Sequence, residues 1–175
     1  VSGPPVPYRR ERWTTPDQLV QLREPVAGHV LVGGGKTAMD TALWLLEQGV
    51  DPQHISWIRP REAWLLNRSN VQPGDDFFIP TLEAAVAEME AAQEATSPDD
   101  LFSCLEAANL LQRIDRSVAP TMFRCAIVSE AELTQLRRIR NVVRLGHVKS
   151  IERQRVVLQR GEIPTSPGHL HINCT

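Results

Sequence analysis

The sequence predicts an α/β domain whose parallel sheet is organised around a single strand, turn and helix, and three observations lead there. A short, largely β-branched run, Val30-Leu31-Val32, feeds directly into Gly33-Gly34-Gly35. After the glycines, Ala38, Ala42, Leu45 and Leu46 recur at i, i+4, i+7 and i+8, flanked by Met39 and Leu43, as in a helix that buries one face. Gly49 and the turn Asp51-Pro52 then lead into His54-Ile55-Ser56-Trp57-Ile58, a second strand at the distance a strand-helix-strand unit requires.

A strand that turns through glycines into a helix is a phosphate-binding elbow. Gly33 permits the tight turn, and Gly35 lets the main chain approach a pyrophosphate. Ala38, third in a Gly-x-Gly-x-x-Gly/Ala pattern, lets the helix pack close to the strand. The pyrophosphate would sit on the unpaired amides and positive end of the helix. The expected fold is therefore a Rossmann-like dinucleotide-binding domain. Gly35-Lys36-Thr37 also looks like the end of a P-loop, but that pattern needs a glycine at position 30, where Val30 stands.

An acidic residue about 20 positions past the glycines holds the ribose 2'-hydroxyl when NAD is used. Here the second strand ends Ile58-Arg59-Pro60-Arg61. Guanidinium groups pair with a 2'-phosphate where a carboxylate would repel it, so Arg59 and Arg61 predict NADPH over NADH. Solvated loop charges remain the alternative, because arginine supplies all but two of the 19 basic residues.

Residues 1–14 form a linker, with Gly3, Pro4, Pro5 and Pro7 followed by Arg9, Arg10 and Arg12. From residue 15 to 175 the chain reads as the dinucleotide domain, opened by a short helix that Thr15-Pro16-Asp17 caps and Pro25 closes. Glu62-Ala63-Trp64-Leu65-Leu66-Asn67-Arg68 is too short and aromatic for a connecting helix. It is expected at the mouth of the cofactor cleft, with Trp64 and Arg68 as candidate cleft-lining residues, or with Trp64, Leu65 and Leu66 plugging the sheet edge. A helical insertion spans about 76–117, its first helix placing Leu82, Ala85, Val86 and Met89 on one face and its second capped by Ser97-Pro98-Asp99-Asp100. Glu83, Glu88, Glu90 and Glu94 fall mostly off that face and read as solvated, whereas Met89 reads as packing.

Pro120 to Val128 is expected to return the chain to the core, and Ser129 with Glu132 forms a capping box. Val142 to Gly146 reads as a third parallel strand, about 147–160 as an appended β-hairpin, and His169 to Cys174 as a closing strand.

With 175 residues, 42% of them hydrophobic, the chain can bury a core as one domain with or without a subdomain. A net charge of −2 provides no large field for nucleic acid or an anionic membrane, and neither partner is expected. No apolar run approaches the roughly 20 residues of a membrane span and no signal peptide opens the chain, so the expected location is cytoplasmic. Cys104, Cys125 and Cys174 lack metal-ligand spacing and read as small buried hydrophobes, and no metal is expected. His147, His169 and His171 have no carboxylate or nucleophile nearby in sequence, so no catalytic residue is assigned.

Three stretches carry a family resemblance: Thr15-Pro16-Asp17-x-Leu19, Val32-x-Gly34-Gly35-Lys36-Thr37-Ala38-Met39-Asp40 with Gly33, and Pro60-Arg61-Glu62-Ala63-Trp64-Leu65-Leu66-Asn67-Arg68. Together with the closing His171-Ile172-Asn173-Cys174-Thr175, the chain resembles the NAD(P)H-binding domain of two-dinucleotide-binding-domain flavoproteins, the group that contains flavin-containing monooxygenases. The resemblance implies that Gly33, Gly34, Gly35 and Ala38 bind pyrophosphate, that Lys36 and Thr37 reach phosphate oxygens, and that Arg59 and Arg61 read the 2'-phosphate. It implies NADP(H) as cofactor and a small molecule as substrate. Its FAD would be held by another domain of the same polypeptide, since no second glycine fingerprint is present here. A free-standing nucleotide-sensing or structural module is the alternative, and a stand-alone dehydrogenase a weaker third.

Overall fold

The computed structural model describes residues 12–175, so the linker expected over 1–14 lies mostly outside the described residues. Its last part is not linker: Trp13–Thr14 is a strand, β1. Pro16 starts α1 (Pro16–Leu19), where Gln18 Oε1 accepts the Thr15 amide at 3.4 Å. β2 (Gly28–Val32) ends in the three glycines, and α2 (Lys36–Glu47) begins directly after them with Gly35 as its N-cap. Ala38, Met39, Thr41, Ala42 and Leu45 form its buried face, with Leu46 only partly covered. The Asp51 carboxylate accepts the Gln53 amide at 2.8 Å and turns the chain into β3 (Ile55–Ile58).

The contacts divide the chain into two units, one running to Arg61 and resuming at Gln135, the other spanning Glu62–Thr134. The second is larger than the expected insertion because it owns a sheet. The stretch read as a cleft-mouth loop is its central strand, β4 (Ala63–Asn67), and a continuous apolar run is what a strand covered on both faces requires. α3 (Phe78–Glu94) and α4 (Pro98–Ala107) follow. Ser97 Oγ caps the second of these by accepting the Asp100 amide at 3.1 Å, while the Asp100 carboxylate binds Thr96 rather than closing the box on Ser97. β5 (Leu111–Gln112) pairs antiparallel with β4, and β6 (Met122–Val128) pairs parallel with it. Residues 120–128 thus join this second sheet and not the main one. As its edge strand β6 leaves Cys125 exposed, against the expectation of a buried thiol. α5 (Glu130–Leu136) opens on the expected capping box, in which the Ser129 amide donates to Glu132 Oε2 at 2.6 Å and the Glu132 amide to Ser129 Oγ at 3.2 Å.

α3 departs most from expectation. Its buried residues are Ala84 and Ala91, and the face carrying Leu82, Val86 and Met89 is exposed. The period was legible, but not the side that turns inward.

Back in the first unit, β7 (Val142–Val143) is the expected third parallel strand. The appended hairpin gains a third strand and is an antiparallel sheet of β8 (Val148–Ile151), β9 (Arg155–Leu158) and β10 (Gly161–Pro164). β11 (His169–Asn173) closes a five-stranded, wholly parallel sheet of order β1-β11-β2-β3-β7. Val30 and Val32 face one way and pack with Ile58 on Ile151, Val156 and Leu158 of the antiparallel sheet. Leu31 faces the other way by strand alternation and is equally buried, so β2 reads as an unbroken apolar run.

Burial disfavours the charged form of two histidines of this unit. His171 Nδ1 donates to the Arg12 carbonyl at 3.2 Å, which leaves Nε2 to accept the Thr165 hydroxyl at 2.9 Å. Burial pushes its pKa below the ordinary value of 6.5; the Arg12 carbonyl opposes this and the charge of His169 adds to it. His29 is lowered by burial, then by the charges of His54 and His169. With depressed folded pKa values, the unfolded chain binds more protons just below pH 6.5, so this contribution is complete above that value and is lost as pH falls through the folded pKa. The urea midpoint is therefore expected to hold steady from about pH 8 to 7 and to decline toward about pH 5, with a shallower decline in His171→Gln. Parallel pH profiles for wild type and variant would show that His171 does not contribute.

Candidate functional site

The elbow is fixed from both sides. The Gly33 amide donates to the Ile58 carbonyl at 3.0 Å, and the Cys174 amide donates to the Val32 carbonyl at 2.9 Å. The Gly33 carbonyl accepts the Trp57 indole N–H at 2.8 Å. Gly33 adopts φ +137°, and a Cβ placed there would lie 2.7 Å from the Cys174 carbonyl oxygen, so only glycine fits between the ends of β2 and β11. At Gly34 a Cβ would approach Arg59 Cγ at 3.4 Å and the Arg61 carbonyl at 3.5 Å, which places the glycine turn directly against the end of β3.

The amides of Ala38 and Met39 both donate to the Gly35 carbonyl. The helical ladder starts there, and the Lys36 and Thr37 amides precede it, as at any helix start. Ala38 is fully buried, in keeping with a small residue where helix meets strand. Thr37 is exposed, and Lys36 is ion-paired with Asp40 one turn on.

The two arginines at the end of β3 differ. Arg59 is 2% exposed, with its guanidinium over the Trp57 ring at 4.7 Å, so it is a packed residue and not a solvated loop charge. Arg61 is exposed beside the glycine turn. Trp57 was missed as a site residue. It precedes Arg59 by two, and strand alternation puts i and i+2 on one face, so the Trp-x-Arg spacing was the available signal. Cys174 was also missed in this role. Its carbonyl meets the elbow, while burial, opposed only by a contact with Thr41, pushes its thiol up to about 11 and leaves it unreactive near neutral pH.

The other two candidates lie in the second unit. Trp64 is buried there, stacked on Phe102 with centroids 5.7 Å apart and capped by the Arg113 guanidinium at 5.2 Å. Arg68 lines a groove of about 490 Å³ with Asn67, Ser69, Phe77 and Arg116, but its guanidinium is committed to Glu132 through bonds of 3.0 and 3.1 Å. Burial pushes the Glu132 carboxyl up, and hydrogen bonds from Ser129 and Arg68 outweigh it, so Glu132 stays ionised below its usual range. The groove's floor is braced by Asn109, whose left-handed φ of +58° ends α4 and turns its carbonyl toward the side-chain amides of Asn67 and Asn70. Among the described residues no group of three or more His, Cys, Asp or Glu is arranged to hold a metal ion.

No protein-family model matches this chain, and no solved structure matches it. Curated proteins that do match include uncharacterized proteins of Mycobacterium bovis and of two strains of Mycobacterium tuberculosis. Each is 52% identical over 147 residues, which is 84% of this chain and 27% of the relative. The chain thus spans about a quarter of the length of the curated relatives it matches.

Proposed function

We propose that this chain is the NADPH-binding module of an FAD-dependent, monooxygenase-like oxidoreductase, the flavin being held by a domain outside these residues. The observation that carries the reading is the place of the elbow in the strand order. From β2 the chain crosses through α2 to β3, while β11 lies on the other side of β2. The ends of β2 and β11 therefore flank a switch point, where open α/β sheets take their ligands. Gly33 stands at that point, against Cys174. The order β7-β3-β2-β11 is also that of third, second, first and fourth strands in a Rossmann-like sheet.

The residues suit a dinucleotide. Nothing projects from the glycine turn, two main-chain amides start the helix, and Arg61 is an exposed cation where a carboxylate would select NAD. In this reading the Lys36 and Thr37 amides and the Thr37 hydroxyl hold the pyrophosphate, Lys36 remaining with Asp40. Arg61 holds the 2'-phosphate, and Arg59 on Trp57 stiffens the segment that presents it. Bound NADPH supplies the hydride that reduces the flavin. The length of the relatives favours a module over a free-standing nucleotide sensor. The NADPH requirement favours the cytoplasm, and no helix of the described residues is long and apolar enough to cross a membrane.

Titration of the chain with NADPH and NADH by calorimetry is the test. NADPH is expected to bind about tenfold or more tighter, a difference of roughly 1.4 kcal/mol, without turnover when FAD is added. Failure of both nucleotides to bind at millimolar concentration would overturn the reading.

A further inference from the structure

We propose that the outward apolar face of α3 is a docking surface for another part of the same longer polypeptide, one that presents an apolar centre edged by basic side chains. This rests on the reading of the chain as one module of a longer protein and not on its cofactor. Phe78, Ile79, Leu82, Val86 and Met89 stand at i, i+1, i+4, i+8 and i+11, within about 100° of one another around the helix. All five are between 49% and 72% exposed, while the helix buries Ala84 and Ala91. Large apolar residues outside and alanines inside invert the arrangement of an ordinary surface helix.

Size and charge select the occupant. The five side chains expose roughly 600 Å², at the top of the range for the largest patch on a monomer. A free-standing complex typically takes about 800 Å² from each partner, so this face by itself stands at the low end of what holds a separate protein. A partner tethered in the same polypeptide faces no such threshold, because its effective concentration is already high. The relatives extend to nearly four times the matched length, which leaves ample chain to supply it. Along one edge of the face, positions 83, 90 and 94 are all glutamate, and the helix contains neither lysine nor arginine. An antiparallel pairing of two copies would set these carboxylates against each other, and a parallel one would offer them no base from the same helix. The surface that fits is basic at its edge.

Met89 reports on this without a label. The 175-residue chain and the full-length polypeptide that carries it are treated with hydrogen peroxide, and methionine oxidation is followed by peptide mass spectrometry. Fully buried Met39 serves as the internal standard. Met89 is expected to oxidise rapidly in the short chain and about tenfold or more slowly in the long one. Leu82→Glu in the long chain is expected to restore its rate while Met39 stays protected, and Val86→Lys supplies the same readout if Leu82→Glu exposes Met39. Equal Met89 rates in both chains overturn the proposal. Protection in the short chain also overturns it, whether it rises with concentration, as for a second copy, or not. NADPH titration of the same samples separates the two readings: protection without NADPH binding leaves the docking surface standing, and NADPH binding without protection removes only the docking surface.

Discussion

Gly33→Ala is expected to destabilise the first unit by about 3 kcal/mol or more and to abolish nucleotide binding. Two costs combine. At φ +137° an L side chain is strained wherever it stands. The new methyl would also lie 2.7 Å from the Cys174 carbonyl oxygen and 3.0 Å from its carbon, both main-chain atoms. Those atoms cannot withdraw cheaply, because the Cys174 amide is bonded to Val32 and the whole length of β11 is paired with β2. Gly33 cannot move the other way either, being bonded to Ile58 and to the Trp57 indole. The control is Gly34→Ala, whose methyl meets Arg59 Cγ at an ordinary 3.4 Å. That variant is expected to keep its urea midpoint to within about 1 kcal/mol while losing affinity for NADPH, since its methyl intrudes on the pyrophosphate approach. A Gly33→Ala chain as stable as wild type would show that the elbow is not constrained as the contacts require.

What could be read from the residues follows from how local each signal is. The glycine turn, α2, β3 and the capping box at Ser129 declare themselves within a few residues, and all are present. β1 and β5 are two residues long and have no period to detect; they exist because longer neighbours offer an edge. β4 does not declare itself as a strand, because its partner β6 lies some 55 residues further on and nothing local announces a second sheet. On α3 the amphipathic period was visible, but a period does not state whether its apolar side meets this chain's core or something else. At the site, the glycines and both arginines were legible as types. Which arginine is packed and which exposed is not legible there, because that division depends on the Trp57 ring beneath Arg59.

That division gives the last expected result, in which Arg61→Ala and Arg59→Ala fail in opposite ways. Arg61 is exposed, so Arg61→Ala is expected to leave the urea midpoint unchanged. Losing charge-assisted bonds to a 2'-phosphate should weaken NADPH binding by roughly 10- to 100-fold and leave NADH untouched. Arg59→Ala empties a buried position against Trp57, and should cost about 2–4 kcal/mol of stability. Its loss of affinity should fall on NADPH and NADH alike, because a loosened β3 end disturbs the turn at Gly34 that both would use. Arg59→Lys keeps the charge but not the planar stack, so it should resemble Arg59→Ala in stability. Calorimetry with both nucleotides and urea titration of the three variants check this together. If Arg59→Ala alone removes the NADPH preference at unchanged stability, the buried arginine and not the exposed one reads the phosphate. If neither removes it, the end of β3 does not discriminate the nucleotides, and the preference for NADPH loses its basis in these residues.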